Sequence, residues 1–114
     1  MDTKLSNRLF KKYKFLKKRE MPGGFQCEDG WFPVLEDMFK SIQDSNPPDN
    51  FLVTLVEERY GTLKVHSRSG NNRTRVIIED AQEVANDICD RCGGQKDDEG
   101  CDKCKQPVVN YDDE

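Results

Sequence analysis

The sequence has few apolar residues and a single histidine. Apolar residues occupy 34% of the 114 positions, whereas charged residues occupy 35%. A chain of this length forms one domain with a modest core, and such a small core gains from a structural metal that ties segments together. No apolar run is long enough to span a membrane, and the N-terminus has no apolar core typical of a secretory signal. We therefore expect a single-domain protein in the cytoplasm of a cell.

Residue sets that are typical of enzymes are also missing. There is no glycine-rich phosphate loop, and no motif that pairs a serine or cysteine nucleophile with a histidine is evident. His66 falls on the polar face of a predicted strand, where a solvated side chain is the ordinary outcome. Catalysis needs an activated group and a second residue that orients it, and no such pair is evident. The sequence predicts a protein that is not an enzyme; an enzyme using His66 or Cys27 is the less favoured alternative.

Four of the five cysteines form two C-x-x-C pairs. Cys89 and Cys92 make the first pair, Cys101 and Cys104 make the second, and residues 93–100 separate them. This spacing predicts one tetrahedral site, in which four thiolates favour zinc, or less often iron. Four protein ligands leave no position for water, so the predicted Zn²⁺ is structural. A closed site of this kind would order a C-terminal segment that is too polar to fold by itself.

Two other interpretations of the cysteine pairs are less favoured. A pair of disulfides needs an oxidising compartment, and nothing in the sequence indicates one. A redox C-x-x-C motif needs only one pair and leaves the other unexplained. The fifth cysteine, Cys27, is interpreted as a small buried thiol, with a place close to the metal as the alternative.

Charge is unevenly distributed along the chain. Residues 1–20 contain eight basic and two acidic side chains, whereas the remaining positions contain ten basic and twenty acidic ones. The basic end is predicted to be an amphipathic helix over residues 3–20, with Leu5, Leu9, Tyr13 and Leu16 on one face. This helix either packs its apolar stripe on the body or serves as an arm for an outside partner. The candidate partner-binding residues are Arg8, Lys11, Lys12, Lys14, Lys17 and Lys18.

The apolar pattern in the middle of the chain predicts a second helix, a hairpin and a third helix. The second helix covers residues 31–44, with the apolar residues Trp31, Leu35, Met38, Phe39 and Ile42 on one face and Pro33 in its first turn. Two strands follow at residues 51–58 and 62–68 and form a hairpin. The third helix is predicted over residues 76–88, with Ile77, Ala81, Val84, Ala85 and Ile88 facing inwards.

These elements predict an α+β fold with four regions. Residues 1–22 form the basic amphipathic helix and residues 23–88 form the α+β core. The third helix is expected to run directly into the Cys₄ zinc knuckle at residues 89–105. Residues 106–114 form an acidic tail.

Several sequence motifs, in this order, resemble a family of small proteins that bacteriophages and prophages encode. The motifs are Cys27 and an acidic residue followed by Gly30-Trp31 at the start of the second helix, the Tyr60-Gly61-Thr62-Leu63 hairpin turn, and a helix that ends in C-x-x-C-G. The matching residues are 9–13, 27–35, 42–43, 56–65, 81–85 and 89–93. The chain differs from the family at Val65-His66, where aromatic residues are usual, and in the short acidic loop between the cysteine pairs. The resemblance implies a phage origin and a zinc-bearing α+β fold, and it brings no catalytic residues.

Two functions are compatible with this pattern. The favoured one is a phage accessory protein that binds a host or phage protein, such as a defence component, in the host cytoplasm. Its acidic body would then meet a basic site on that partner. The alternative is nucleic-acid binding through the basic N-terminal helix. The zinc knuckle itself opposes that alternative because residues 86–105 contain six acidic and four basic side chains, and phosphate binding needs net positive charge.

Overall fold

A computed structural model of the chain describes residues 1–91, 93, 94, 96, 97, 100 and 101; for the last four it describes strand pairing only. Within this part the α+β fold is confirmed. Three α-helices and a three-stranded sheet enclose one core, and a separate two-stranded hairpin follows. The elements are α1 (Thr3–Lys12), β1 (Phe25–Gln26), α2 (Phe32–Asp44), β2 (Leu52–Arg59), β3 (Thr62–Arg68), α3 (Asn72–Ala85), β4 (Lys96–Asp97) and β5 (Gly100–Cys101).

The sheet has the order β1-β2-β3. The predicted hairpin is confirmed, since β2 and β3 are antiparallel with Val56 opposite Val65. The residues at the tip of this hairpin, Tyr60 and Gly61, both have positive φ, as a tight hairpin turn requires. Strand β1 lies in a stretch interpreted as a loop from sequence, and it pairs in parallel with β2 through Phe25 and Val56. A two-residue strand has no periodicity, which is why the sequence pattern did not reveal it.

The first helix is shorter than predicted, because α1 ends at Lys12 and the predicted helix over residues 13–20 is wrong. Tyr13 is extended, and the only helical turn within residues 13–20 is a 3-10 turn at Lys18–Glu20. Two residues that are two positions apart cannot share one face of an α-helix. Here Tyr13 and Phe15 are both buried with their rings stacked at 5.6 Å, so the chain leaves the helix in order to bury both.

Phe15 is a centre of the aromatic core. Its ring centroid lies 6.0 Å from that of Phe39 and 5.4 Å from that of Phe51. Its carbonyl accepts a hydrogen bond from the backbone N–H of Val53 at 3.1 Å, and Leu16 forms a parallel bridge with Val53. The N-terminal segment is therefore packed on the body, as the first of the two alternatives for this helix requires.

The second helix follows the prediction and the third does so only in part. Trp31 and the four other apolar residues predicted to face inwards from α2 are buried. Helix α3 begins at Asn72, four positions earlier than predicted, where Asn71 and Thr74 form a capping box. The prediction for Val84 is wrong, because this side chain is 54% exposed. Ile78, which the predicted inward face did not include, is buried. Helix α3 therefore presents the stripe Thr74, Ile78, Ala81 and Ala85 to the core.

No helix of the described residues is both long and apolar enough to cross a membrane.

Candidate metal centre and interaction surfaces

The first C-x-x-C pair begins at a hydrogen-bonded turn. The prediction that helix α3 runs directly into this pair is wrong. The helix ends at Ala85, and a turn over residues 86–88 leads to Cys89. Cys89 is buried at 3% exposure. Its carbonyl accepts a hydrogen bond from the Gly93 N–H at 2.9 Å, and its own N–H donates to the Gly94 carbonyl at 2.7 Å. These bonds fold the chain back across the C-x-x-C segment.

Gly93 has the backbone conformation that such a turn needs. Its φ is +77°, in the left-handed region that glycine occupies at little cost. A backbone that turns tightly enough for two thiolates three residues apart to bind one ion favours glycine directly after the pair, and the sequence has Gly93 there.

The loop before α2 lies against this turn. The Gly30 N–H donates to the Asp90 carbonyl at 2.6 Å, and the indole N–H of Trp31 donates to the Ile88 carbonyl at 2.8 Å. Sequence reasoning assigned Trp31 to the core, which is confirmed at 0% exposure, but missed its contact with the cysteine turn. The only local signal is a glycine directly before a tryptophan, and nothing in it points to residues 88–90.

The rest of the predicted metal site is described only in part. Strand β5 contains Cys101, whose backbone pairs with Lys96 in β4. Cys92 and Cys104 lie outside the described residues. Consequently the described part of the chain contains no group of three or more His, Cys, Asp or Glu side chains placed to hold an ion. The chemistry of the donor set and the turn at Cys89 fit a Cys₄ zinc site, which stays a prediction.

Cys27 is buried, and its surroundings favour the neutral thiol. Burial, followed by the nearby carboxylates of Asp90, Glu28 and Asp29, raises its pKa from 9.0 to about 12. A neutral thiol is a weak nucleophile. The interpretation of Cys27 as a small buried thiol is confirmed as far as its burial is concerned.

The predicted partner-binding residues all lie on the surface. All six side chains are exposed, namely those of Arg8, Lys11, Lys12, Lys14, Lys17 and Lys18. Lys12 donates a hydrogen bond to Glu36 at 3.4 Å, and this contact raises the pKa of Lys12. Arg8 lies over the ring of Phe32, and Lys18 lies over the ring of Phe10.

Four of these six basic residues line two grooves rather than one face of a long helix. Lys11 and Lys18 border a shallow groove of about 390 Å³ that includes Phe10 and Leu16. Lys14 and Lys17 border a second groove of about 620 Å³, whose other side is formed by Asn46, Pro47, Pro48 and Asp49. Because the chain turns at Tyr13, the six cations surround the N-terminal segment instead of forming a straight stripe.

Helix α3 presents a different surface to solvent. Val76 and Val84 are 49% and 54% exposed, and they lie two turns apart on the side away from the core. Asp80 and Glu83 are exposed on the same side, and Asp87 is exposed in the turn that follows the helix. We call these five residues the α3 face; it combines apolar side chains with negative charge.

His66 and the opposite strand form a small polar cluster. The His66 Nε2 lies 3.6 Å from the Glu57 Oε2, and the His66 side chain is 56% exposed. This agrees with the solvated histidine expected from sequence. Neither the α3 face nor this cluster brings a nucleophile and an orienting base together among the described residues.

The comparisons with known proteins found no matching family model, no matching curated protein and no matching solved structure.

Proposed function

We propose that this protein is a non-enzymatic binding module of phage origin, stabilised by a structural zinc ion, that engages a host protein through the α3 face. The observation that carries the proposal is the pair of half-exposed valines, Val76 and Val84, set among three carboxylates. Contiguous exposed apolar patches mark contact sites, and these two valines on one side of α3 would form the apolar part of such a patch. The surrounding negative charge selects a partner whose contact site is basic.

The zinc ion has a supporting role in this proposal. When it is bound by Cys89, Cys92, Cys101 and Cys104, it supplies a cross-link between two short segments of the chain. Cys89 follows α3 by a single turn, so a fixed knuckle would also restrain the end of the proposed contact helix. The proposal needs no chemical step at the metal.

Photo-crosslinking tests the protein-binding proposal. A photoreactive amino acid placed at position 84 should capture one specific protein from a lysate of the host bacterium, whereas the same group at Ser41 on α2 should not. The double variant Val76→Ser with Val84→Ser should abolish saturable binding of that purified protein. Equal capture at positions 84 and 41, or unchanged binding by the double variant, would contradict the proposal.

Nucleic-acid binding is the second candidate, and a separate observation favours it. The basic residues of the N-terminal segment face solvent while its apolar residues are used in the core. Lysines that contact phosphates release counterions, so affinity for duplex DNA falls with salt with a slope of about 0.9 per contact in a double logarithmic plot.

Fluorescence anisotropy with labelled DNA and RNA distinguishes the two candidates. If the second is correct, the triple variant Lys11→Gln, Lys14→Gln and Lys17→Gln should weaken binding and reduce the salt slope for duplex DNA by about 2 to 3. Lys64→Gln, a change to an exposed lysine on β3, serves as the control. Absence of binding at low salt would eliminate nucleic acid as the partner and leave the protein-binding proposal unaffected.

A further inference from the structure

The loop before α2 makes two hydrogen bonds that bracket Cys89. The Asp90 carbonyl, just after this cysteine, accepts from the Gly30 N–H at 2.6 Å. The Ile88 carbonyl, just before it, accepts from the Trp31 indole at 2.8 Å. The carbonyl groups of the residue before and the residue after the predicted zinc ligand are therefore held from outside the knuckle.

Gly30 allows this approach because it has no side chain. A Cβ at this position would lie 2.5 Å from the Gly93 nitrogen and 2.6 Å from the Asp90 carbonyl carbon, and closer still to the Cys89 carbonyl oxygen. All three atoms belong to the backbone of the turn, so they cannot rotate aside as a side chain can. The Gly93 nitrogen is the same atom that donates to the Cys89 carbonyl and closes the turn.

Trp31 is fixed strongly enough to hold its acceptor in place. The indole is fully buried at the start of α2, and the 3-10 turn Asp29–Trp31 leads directly into that helix. Its N–H therefore has a defined position relative to the core. Through this bond the core, and not the knuckle alone, sets the place of the residue before Cys89.

We propose that Gly30 and Trp31 are positioning residues of the metal centre. By holding the carbonyls on both sides of Cys89, they orient its thiolate before the ion binds. Groups that orient metal ligands typically change metal affinity by about 10- to 100-fold. This inference rests on the zinc site of the proposed function, but it does not depend on which partner the protein binds.

The test measures zinc affinity by competition with a chromophoric chelator, using the full chain. Trp31→Phe keeps an aromatic ring and removes the N–H, and we expect zinc to bind about 10-fold more weakly. Gly30→Ala forces the turn apart, and we expect a loss of about 100-fold or more. Gly23→Ala is the matched glycine control, because a Cβ there meets only the flexible side chain of Gln26.

A second control separates positioning from general stability. Phe39→Leu weakens the core around α2 without removing either hydrogen bond, so it should lower the unfolding midpoint and leave zinc affinity near the wild-type value. The visible spectrum of the Co²⁺-loaded protein provides an independent readout, since a displaced thiolate alters the ligand field. This spectrum should change in Trp31→Phe and stay unchanged in Phe39→Leu.

The outcomes separate this inference from the zinc site on which it rests. If the wild-type chain binds zinc and both Trp31→Phe and Gly30→Ala bind it equally well, the positioning role is refuted while the zinc site stands. An equal loss of affinity in Phe39→Leu refutes it as well. If the wild-type chain itself binds no zinc, both the site and the positioning role are refuted.

Discussion

The side-chain oxygen of Gln82 accepts a hydrogen bond from the backbone N–H of Val65 at 2.9 Å. Gln82 lies on α3 and Val65 lies on β3, which is one of the two outer strands of the three-stranded sheet. An outer strand presents backbone groups that have no strand partner, and these groups favour pairing with other chains. Helix α3 therefore covers part of this edge and satisfies one of its donors.

Replacing Gln82 with alanine should destabilise the fold. The half-buried Val65 N–H loses its acceptor, which costs about 1 to 3 kcal/mol in the free energy of unfolding. Urea unfolding followed by circular dichroism measures this change. Gln43→Ala, the same substitution at an exposed position of α2, should change the free energy by less than about 0.5 kcal/mol. Equal effects of the two substitutions would show that the hydrogen bond contributes nothing.

Replacing Phe15 with alanine should cost more than any other single change in the N-terminal segment. Its ring contacts Tyr13, Phe39 and Phe51, and deletion of a buried phenylalanine ring costs about 3 to 5 kcal/mol. Thermal unfolding should show a greatly lowered midpoint or no folded state. Phe32→Ala, at a half-buried position under Arg8, is the control and should be milder. A small effect of Phe15→Ala would contradict its central place in the core.

Cys27 should be almost unreactive towards alkylating reagents in the folded protein. With a pKa of about 12, about 1 in 10,000 of these thiols is ionised at pH 8, against about 1 in 10 for an ordinary thiol. Mass spectrometry of the modified peptides should show at least about 100-fold slower labelling of Cys27 in buffer than in urea. Similar rates in the two conditions would mean that the thiol is accessible and ionised.

The same pKa gives a pH dependence of stability with a defined sign. The folded state raises the pKa of Cys27 above the ordinary 9.0, so folding favours the neutral thiol. The contribution of the neutral Cys27 thiol to the free energy of unfolding is therefore complete below about pH 9, and it declines as the pH rises towards about 12. The variant Cys27→Ala should show a flatter fall of unfolding free energy over this window. An identical fall in both proteins would indicate that other groups account for it.

Zinc should bind with a stoichiometry of one ion per chain. Replacing any one of the four predicted ligands with serine should remove most of the bound zinc, because a structural site needs all four. Elemental analysis of reduced protein measures the content, and Cys27→Ser is the control that should keep the ion. Loss of zinc in Cys27→Ser together with retention in Cys104→Ser would show that the predicted ligand set is wrong.

Periodicity identified the elements whose residues meet the core along a single face. The inward residues of α2 and the β2–β3 hairpin were predicted because one repeating pattern describes each of them. The same reasoning was wrong after Tyr13, where the core takes up two aromatic rings that no single helical face can present. It was also wrong at Val84, because the stripe of α3 that packs inwards is decided by where β3 and α2 lie.

At the candidate metal centre, too, the sequence predicted the local features but not the contacts between distant segments. The C-x-x-C spacing and Gly93 indicated a tight turn, and both are local properties of the sequence. The contact of Gly30 and Trp31 with the residues around Cys89 joins positions about 60 apart, and no local pattern encodes such a distance. The exposed α3 face could not be predicted for the same reason, since exposure is defined only once the other elements are in place.

By itself the sequence determined the α+β class, the hairpin, the second helix and the spacing of the cysteine pairs, because each depends on residues that are close together in the chain. Only the tertiary structure decided where α1 ends, which side of α3 meets solvent and which loop supports Cys89. These features depend on packing between distant segments, where the gain from burying a ring or satisfying a backbone donor exceeds local preference.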